Sequence, residues 1–208
     1  MYTNRNQSVY IFIFVCYNKN MKTMTLFYRK AKKEDALQIA SLITKLLGTC
    51  DVKDNYSQNC SRDEIFQKNL KHADNEINNY YVCSFENKII GACGLSNVKT
   101  ENEWGVKSLP KYKEILYLVV DKNYQKKGIG TNLLKLCVSK NDYPIIYEAW
   151  GDKDVVNSKY LLEKCGFKLL KDLGNKYYKN NGYCPLCVNR DKNCNSCLAE
   201  LYIKDKEK

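Results

Sequence analysis

The pattern of apolar residues predicts one mixed α/β (α+β) domain, a central sheet flanked by helices. Three observations carry this. Short runs rich in β-branched and aromatic residues alternate with segments whose apolar residues recur at three and four, in the order β α α β β β α β α β and, after a cysteine-rich interruption, β. A chain of 208 residues, 44% hydrophobic and 27% charged, can close one core without covalent staples. No apolar run approaches the roughly 18 residues that a membrane-spanning helix needs.

Residues 1–23 are set apart. Val9–Tyr17 faintly resembles the apolar stretch of a secretory leader behind Arg5, but no small-x-small cleavage site follows. The segment reads as a disordered or over-long extension, and the domain as residues 24–208. Leu26–Arg29 is the first strand. Glu34–Leu47 is a helix with Ala36, Ala40, Ile43 and Leu47 on its apolar face and Gly48 closing it. Arg62–Leu70 is a second helix, with Ser61 as N-cap and Glu64 three residues on, a capping box. Tyr80–Phe85 and Lys88–Leu95 form a hairpin about Glu86-Asn87. Ser96–Lys113 is a long polar connection containing Trp104 and Pro110. Glu114–Val120 is nearly all apolar or aromatic, as a central strand should be. Asp121–Gly130 is a loop, Thr131–Lys140 a helix and Pro144–Trp150 a strand. Val155–Cys165 is a helix capped by Gly166, Phe167–Leu173 a strand, and Ala199–Lys204 the last strand.

The net charge is +11, but all except four of the 34 basic residues are lysine, and no tract of five consecutive basic residues marks a nucleic-acid arm. The charge reads as compositional background that can steer an anionic ligand. Seven of the 11 cysteines are scattered through the chain, which suits a reducing cytosol where thiols behave as small apolar residues. The expected location is cytoplasmic.

The most informative segment is Leu116–Leu134, LYLVVDKNYQKKGIGTNLL. A buried strand runs through Gln125, Lys126, Lys127, Gly128, Ile129 and Gly130 directly into a helix at Thr131. Glycines let the backbone approach an anion, and the free N–H groups of a helix start bind phosphate oxygens. It is neither a Walker loop nor a dinucleotide fingerprint, and taken alone it is equally an ordinary strand-to-helix turn.

With its surroundings this segment resembles the GNAT superfamily of acetyl-CoA-dependent N-acetyltransferases. The family's Gln/Arg-x-x-Gly-x-Gly/Ala signature is met by Gln125–Gly130. Leu26–Leu47 is similar to its first strand and helix, and Tyr80–Leu95 to its second and third strands. Asn157 followed by Leu161–Phe167 is similar to its last helix and the Gly-Phe that opens the sixth strand. The resemblance covers about Thr25–Lys204. It implies a mostly antiparallel sheet of about seven strands and transfer of the acetyl group of acetyl-CoA to a primary amine. The acceptor is a small molecule or a protein amine, and the enzyme a monomer or homodimer with no membrane or nucleic-acid partner. It implies that acetyl-CoA lies in a V-shaped opening between the fourth and fifth strands. Leu118 and Val120 would bond the acetyl-pantetheine arm, the amides of Gln125 through Thr131 the pyrophosphate, and Asn157 the pantetheine or adenine side.

Direct transfer needs a base for the acceptor ammonium. Glu114 stands eleven residues before Gln125, where the resemblance implies a general base, and burial beside an apolar strand would raise its pKa. An amide near Leu118 could stabilise the oxyanion. The departing thiolate is often served in this family by a tyrosine at the position that Leu162 occupies here. Tyr160 lies about 200° round the helix from it, which leaves another tyrosine such as Tyr147, or unassisted departure. His72, the one histidine, reads as a surface residue.

Cys184, Cys187, Cys194 and Cys197 form Cys-x2-Cys-x6-Cys-x2-Cys, the spacing of a structural zinc knuckle inserted before the last strand. An iron–sulfur cluster and paired disulfides are the alternatives. A second functional class also follows from these features: a catalytically weak scaffold whose knuckle and basic surface bind protein or nucleic acid. The intact glycine loop favours the enzyme.

Overall fold

The computed structural model describes residues 10–13, 24–46, 61–102, 104–107, 109–152, 155–156, 158–175 and 197–206. Among these, nine strands form one sheet in the order β1-β2-β3-β4-β5-β6-β9-β8, with the short β7 paired to β6. The strands are β1 (Tyr10–Ile13), β2 (Thr25–Lys30), β3 (Tyr80–Phe85), β4 (Lys88–Leu95), β5 (Lys113–Val120), β6 (Ile145–Asp152), β7 (Val155–Val156), β8 (Lys168–Asn175) and β9 (Cys197–Lys204). Every pairing is antiparallel except β5 with β6. The helices are α1 (Ala36–Leu46), α2 (Arg62–Asn75), α3 (Ile129–Ser139) and α4 (Lys159–Lys164).

Local chemistry explains most of these elements. α1 buries Ala36, Ile39, Ala40 and Ile43, one helical stripe, against β3, β4 and β5. Its approach is set by a short 3-10 turn, Lys33–Asp35, and there Asp35 accepts two hydrogen bonds from Arg29, at 2.5 and 2.9 Å, and one from the Lys32 amide at 2.8 Å. α2 has the expected capping box, Ser61 Oγ accepting from the Glu64 amide and Glu64 Oε2 from that of Ser61. It runs to Asn75, past the expected Leu70, because Ala73 continues the stripe begun by Ile65 and Asn69. At the β3–β4 hairpin Glu86 and Asn87 both take positive φ, 47° and 62°, as a tight two-residue turn requires.

The sheet has two covered faces. α3 and α4 pack on one, with Ile90, Cys93, Ile115, Leu133, Leu134, Leu162 and Phe167 in its core. On the other face α1 and α2 cover β3, β4 and β5. Beyond β5 the covering passes to the 96–112 connection, whose Trp104 and Tyr112 pack on Ile146 of β6 and Leu201 of β9.

Three expectations are corrected. The Val155–Cys165 helix is two elements: Val155–Val156 pairs with Gly151–Asp152, and only Lys159–Lys164 is helical. Two adjacent β-branched residues favour a strand partner over a helical start. α3 starts at Ile129, two residues earlier than expected, because Gly128 at φ 78° acts as its N-cap. Residues 10–13 of the excluded N-terminal segment pair with Thr25–Tyr28 as an edge strand.

Candidate active site

The parallel pair β5–β6 is very short. Only Lys113 and Glu114 pair, with Ile145 and Ile146. Beyond that rung the two strands diverge, and β7 closes the far end by pairing with Gly151 and Asp152. Part of the divergence is built into β5. Its register with β4 slips between Gly94–Tyr117 and Leu95–Ile115, so Leu116 is a bulge residue, and a bulge bends the strand that carries it. The result is a window in the sheet between Ile115–Val120 and Tyr147–Trp150.

Antiparallel pairing fixes which backbone groups face that window. The amide of Asp121 donates to the carbonyl of Ile90, opposite it across β4, at 2.8 Å. Hydrogen-bonded pairs alternate along such a ladder, so Tyr117 and Val119 also face β4, and Leu118 and Val120 turn their backbone groups toward the window. The carbonyl of Val120 accordingly accepts from Gln125 Nε2 at 2.9 Å, which folds the loop back over the strand end.

The glycine loop stands at that same end. Lys126 takes φ 60° and Gly128 φ 78°, and the space where a Gly128 Cβ would lie is open. The first amides of α3 therefore face outward, since a helix start leaves them without partners of its own. Gly130 packs closely: a Cβ there would lie 3.2 Å from Leu161 and 3.8 Å from Val120. Gln125, Lys126 and Gly128 are exposed and Lys127, Gly130 and Thr131 half-buried, with the Lys127 ammonium 5.3 Å from the Tyr124 ring centre, while Ile129 is buried in the core. Leu118, Val120 and Gln125–Thr131 are thus brought together along the window and at its end. Asn157 lies outside the described residues.

Glu114 sits at the closed end of the window, on the face that carries α1 and α2. Its largely buried carboxylate is paired with the ammonium of Lys99, from the polar connection, a partner the sequence did not suggest. Its amide donates to Ser96 Oγ at 2.9 Å. Next along this face Tyr117 stacks with Tyr80, ring centres 6.4 Å apart, over Gly94, where a Cβ would come within 2.6 Å of the Tyr80 ring. His72 meets both edge-on, at 5.6 Å from Tyr117 and 6.2 Å from Tyr80. It is half-buried, not the expected surface residue. Its polar neighbours, KNLKHADN, point to a solvated helix end, and only the continuation of α2 to Asn75 turns it onto Tyr80 and Tyr117.

On the opposite face, Leu162 is fully buried and has no acidic proton, and the Tyr160 side chain is 76% exposed. Tyr147 of β6 lies at the window, beside Leu118 and Val120 in the same core. Burial pushes its pKa up to about 12 against a hydrogen bond with Ser158.

Cys184, Cys187 and Cys194 lie outside the described residues, and Cys197 opens β9. Among the described residues no group of three or more His, Cys, Asp or Glu could hold a metal, and no helix is long and apolar enough to cross a membrane.

Residues 76–169 match the family described as acetyltransferase (GNAT) domain. That stretch contains Glu114, the window and the glycine loop. Solved structures share the fold at low identity. An N-acetyltransferase from Staphylococcus aureus Mu50 is 16% identical, with 85% of this chain and 99% of that one covered and a TM-score of 0.57. A putative acetyltransferase from Salmonella typhimurium, solved with its cofactor acetyl-CoA, is 14% identical over 88% and 95%, at 0.57. PH1933 from Pyrococcus horikoshii OT3 is 20% identical over 88% and 99%, at 0.54. No curated protein is similar enough in sequence to match. The domain match covers 94 of the 208 residues, and the solved structures share the fold.

Proposed function

We propose that the chain is an N-acetyltransferase that moves the acetyl group of acetyl-CoA to a primary amine by direct attack. The observation that carries this is the window, lined by the outward backbone of Leu118 and Val120 and ending at the glycine start of α3. An extended pantetheine arm would add to the free edge of β5. The pyrophosphate would meet the amides of Gln125 through Thr131, with Lys126 and Lys127 beside them, and Asn157 would contact the arm or the adenine side. Glu114 takes a proton from the acceptor ammonium, directly or through a water. The freed nitrogen attacks the thioester carbonyl, and the carbon–sulfur bond breaks. Lys99 holds the Glu114 carboxylate in place.

Tyr147 then faces the departing sulfur. A phenol held at about 12 keeps its proton against a thiolate whose ordinary pKa is about 8.5. Its part is a hydrogen bond to the developing charge, and the thiolate takes its proton from solvent. The four cysteines carry a structural zinc in this reading, on their spacing alone, with an iron–sulfur cluster as the other metal of the same ligand set.

The test is calorimetry of acetyl-CoA binding to the wild type and to Gly130→Asp. The new side chain crowds Leu161 and sets a negative charge against the pyrophosphate. The affinity should fall at least tenfold, about 1.4 kcal/mol. A folded variant of unchanged affinity would sink the assignment. Tight binding by a wild type that transfers to no amine would favour the weak scaffold that binds protein or nucleic acid.

A further inference from the structure

The position that an acceptor ammonium must take is occupied by a lysine of the chain itself. Lys99 sets its ammonium against Glu114 Oε2. Both partners are held by their backbones. The Lys99 amide donates to the Tyr112 carbonyl at 2.8 Å, and its carbonyl accepts from the Tyr112 amide at 3.1 Å. Tyr112 is buried in turn, and its hydroxyl donates to the Glu101 carbonyl at 2.8 Å, which closes the 99–112 loop on itself. Ser96 fixes the other partner. Its amide donates to the Glu114 carbonyl at 2.8 Å, and its Oγ accepts from the Glu114 amide at 2.9 Å.

The pair is not sealed from the window. The Lys99 side chain is 36% exposed and that of Glu114 14%. The direction of the window brings an acetyl group to it. With the pyrophosphate at the glycine start of α3, an arm laid along β5 passes Val120 first and Leu118 next, so its thioester end points toward Glu114. Lysine carries its ammonium on a flexible four-carbon stem. Nζ can therefore swing from the carboxylate onto a thioester beside it while the Lys99 backbone stays pinned to Tyr112.

We propose that Lys99 is an acceptor within the chain, so that the enzyme acetylates its own Lys99. This rests on the transfer reaction proposed above and adds a modification site to it. The Lys99 ammonium gives one proton to Glu114, and Nζ attacks the thioester carbonyl carbon. The carbon–sulfur bond breaks, and CoA leaves as the thiolate and takes its proton from solvent. The new amide nitrogen and Glu114 each release a proton to water. The product is a neutral amide, which forms no ion pair, so Glu114 loses its cation. A nitrogen presented to the base in this way reacts ahead of lysines that meet acetyl-CoA only by collision.

The test is peptide-resolved mass spectrometry of the full chain incubated with acetyl-CoA and no added amine. Lys99 should gain one acetyl group at least about tenfold faster than Lys71 of α2 and Lys168 of β8, exposed lysines that measure uncatalysed acetylation. Its rate constant should be the same at high and low protein concentration, as a step within one chain requires. Excess CoA, which fills the window without an acetyl group, should slow Lys99 and leave Lys71 and Lys168 as they were. Glu114→Gln should slow Lys99 by about 10²-fold or more and leave the same two lysines unchanged. The competition with CoA needs no variant, so it decides even where the variant fails to fold. Acetylation of Lys99 no faster than that of Lys71 and Lys168 would overturn the inference, as would a rate constant that rises with protein concentration. The same protein is assayed with a panel of primary amines by release of the CoA thiol. Transfer to an added amine with Lys99 unmodified would keep the reaction and lose the inference. Acetylated Lys99 with no added amine used would keep the inference and confine the reaction to the chain itself. Failure of both would remove both.

Discussion

At the scale of single residues, the face of the sheet that carries Glu114 gathers groups that no local pattern could have assembled. Lys99 and Trp104 come from a connection whose sequence reads only as polar loop, and each reaches a carboxylate on a different strand. Glu114 itself was legible because its distance from Gln125 along one strand and loop is a sequence quantity. The contact of Trp104 with Glu148 was not, since it depends on where the 96–112 connection crosses β6. Glu114→Gln should lower the rate of acetyl transfer by about 10²-fold or more with acetyl-CoA affinity unchanged. Single-turnover kinetics beside calorimetry would check this, and near-wild-type turnover would assign the proton to another group.

At the scale of elements, the junction of β2 with α1 depends on one buried carboxylate. Burial pushes the Asp35 pKa up, but the Arg29 fork and the Lys32 amide outweigh it and hold the group below the usual carboxylate range. A depressed folded value means that the stabilisation is present above the unfolded pKa of about 3.9 and is lost as pH falls through the folded value. Asp35→Asn should cost about 2 kcal/mol at pH 7, less than a fully buried pair because Arg29 is partly exposed. Urea melts at pH 7 and pH 3 should show the wild type losing more stability than the variant between them. The spacing of Cys184, Cys187, Cys194 and Cys197 predicts a metal knuckle in a stretch with few apolar residues, so metal binding would supply its energy of folding. Elemental analysis should find about one zinc per chain without visible absorption. Iron absorbing near 400 nm would make it a cluster, and four oxidised cysteines without metal would remove both. Elements with strong local signals, the α2 capping box and the Glu86-Asn87 turn, were readable from sequence. The split of Val155–Cys165 was not, because a two-residue strand exists only through its partner on β6.

At the scale of the whole molecule, the order of elements was legible because apolar periodicity records which face each one buries. The central position of β9, between β6 and β8, was not, since a last strand can equally pair at an edge. The sheet is in effect two sheets, β1 to β5 and β6 to β8 with β9 between, joined by a parallel pairing only two residues long. That construction leaves a trace in time as well as in shape. In β5 the amides of Tyr117 and Val119 point to β4, and those of Leu118 and Val120 point to a gap with no strand partner among the described residues. Deuterium should therefore enter β5 with a period of two, fast at Leu118 and Val120 and slow at Tyr117 and Val119. Added acetyl-CoA should slow the fast pair and leave the slow pair as they were. Residue-resolved exchange would then show the pantetheine arm as a missing strand whose place in the ladder is kept until it binds. Uniform exchange along β5, with or without the ligand, would mean that the two halves close on each other in solution.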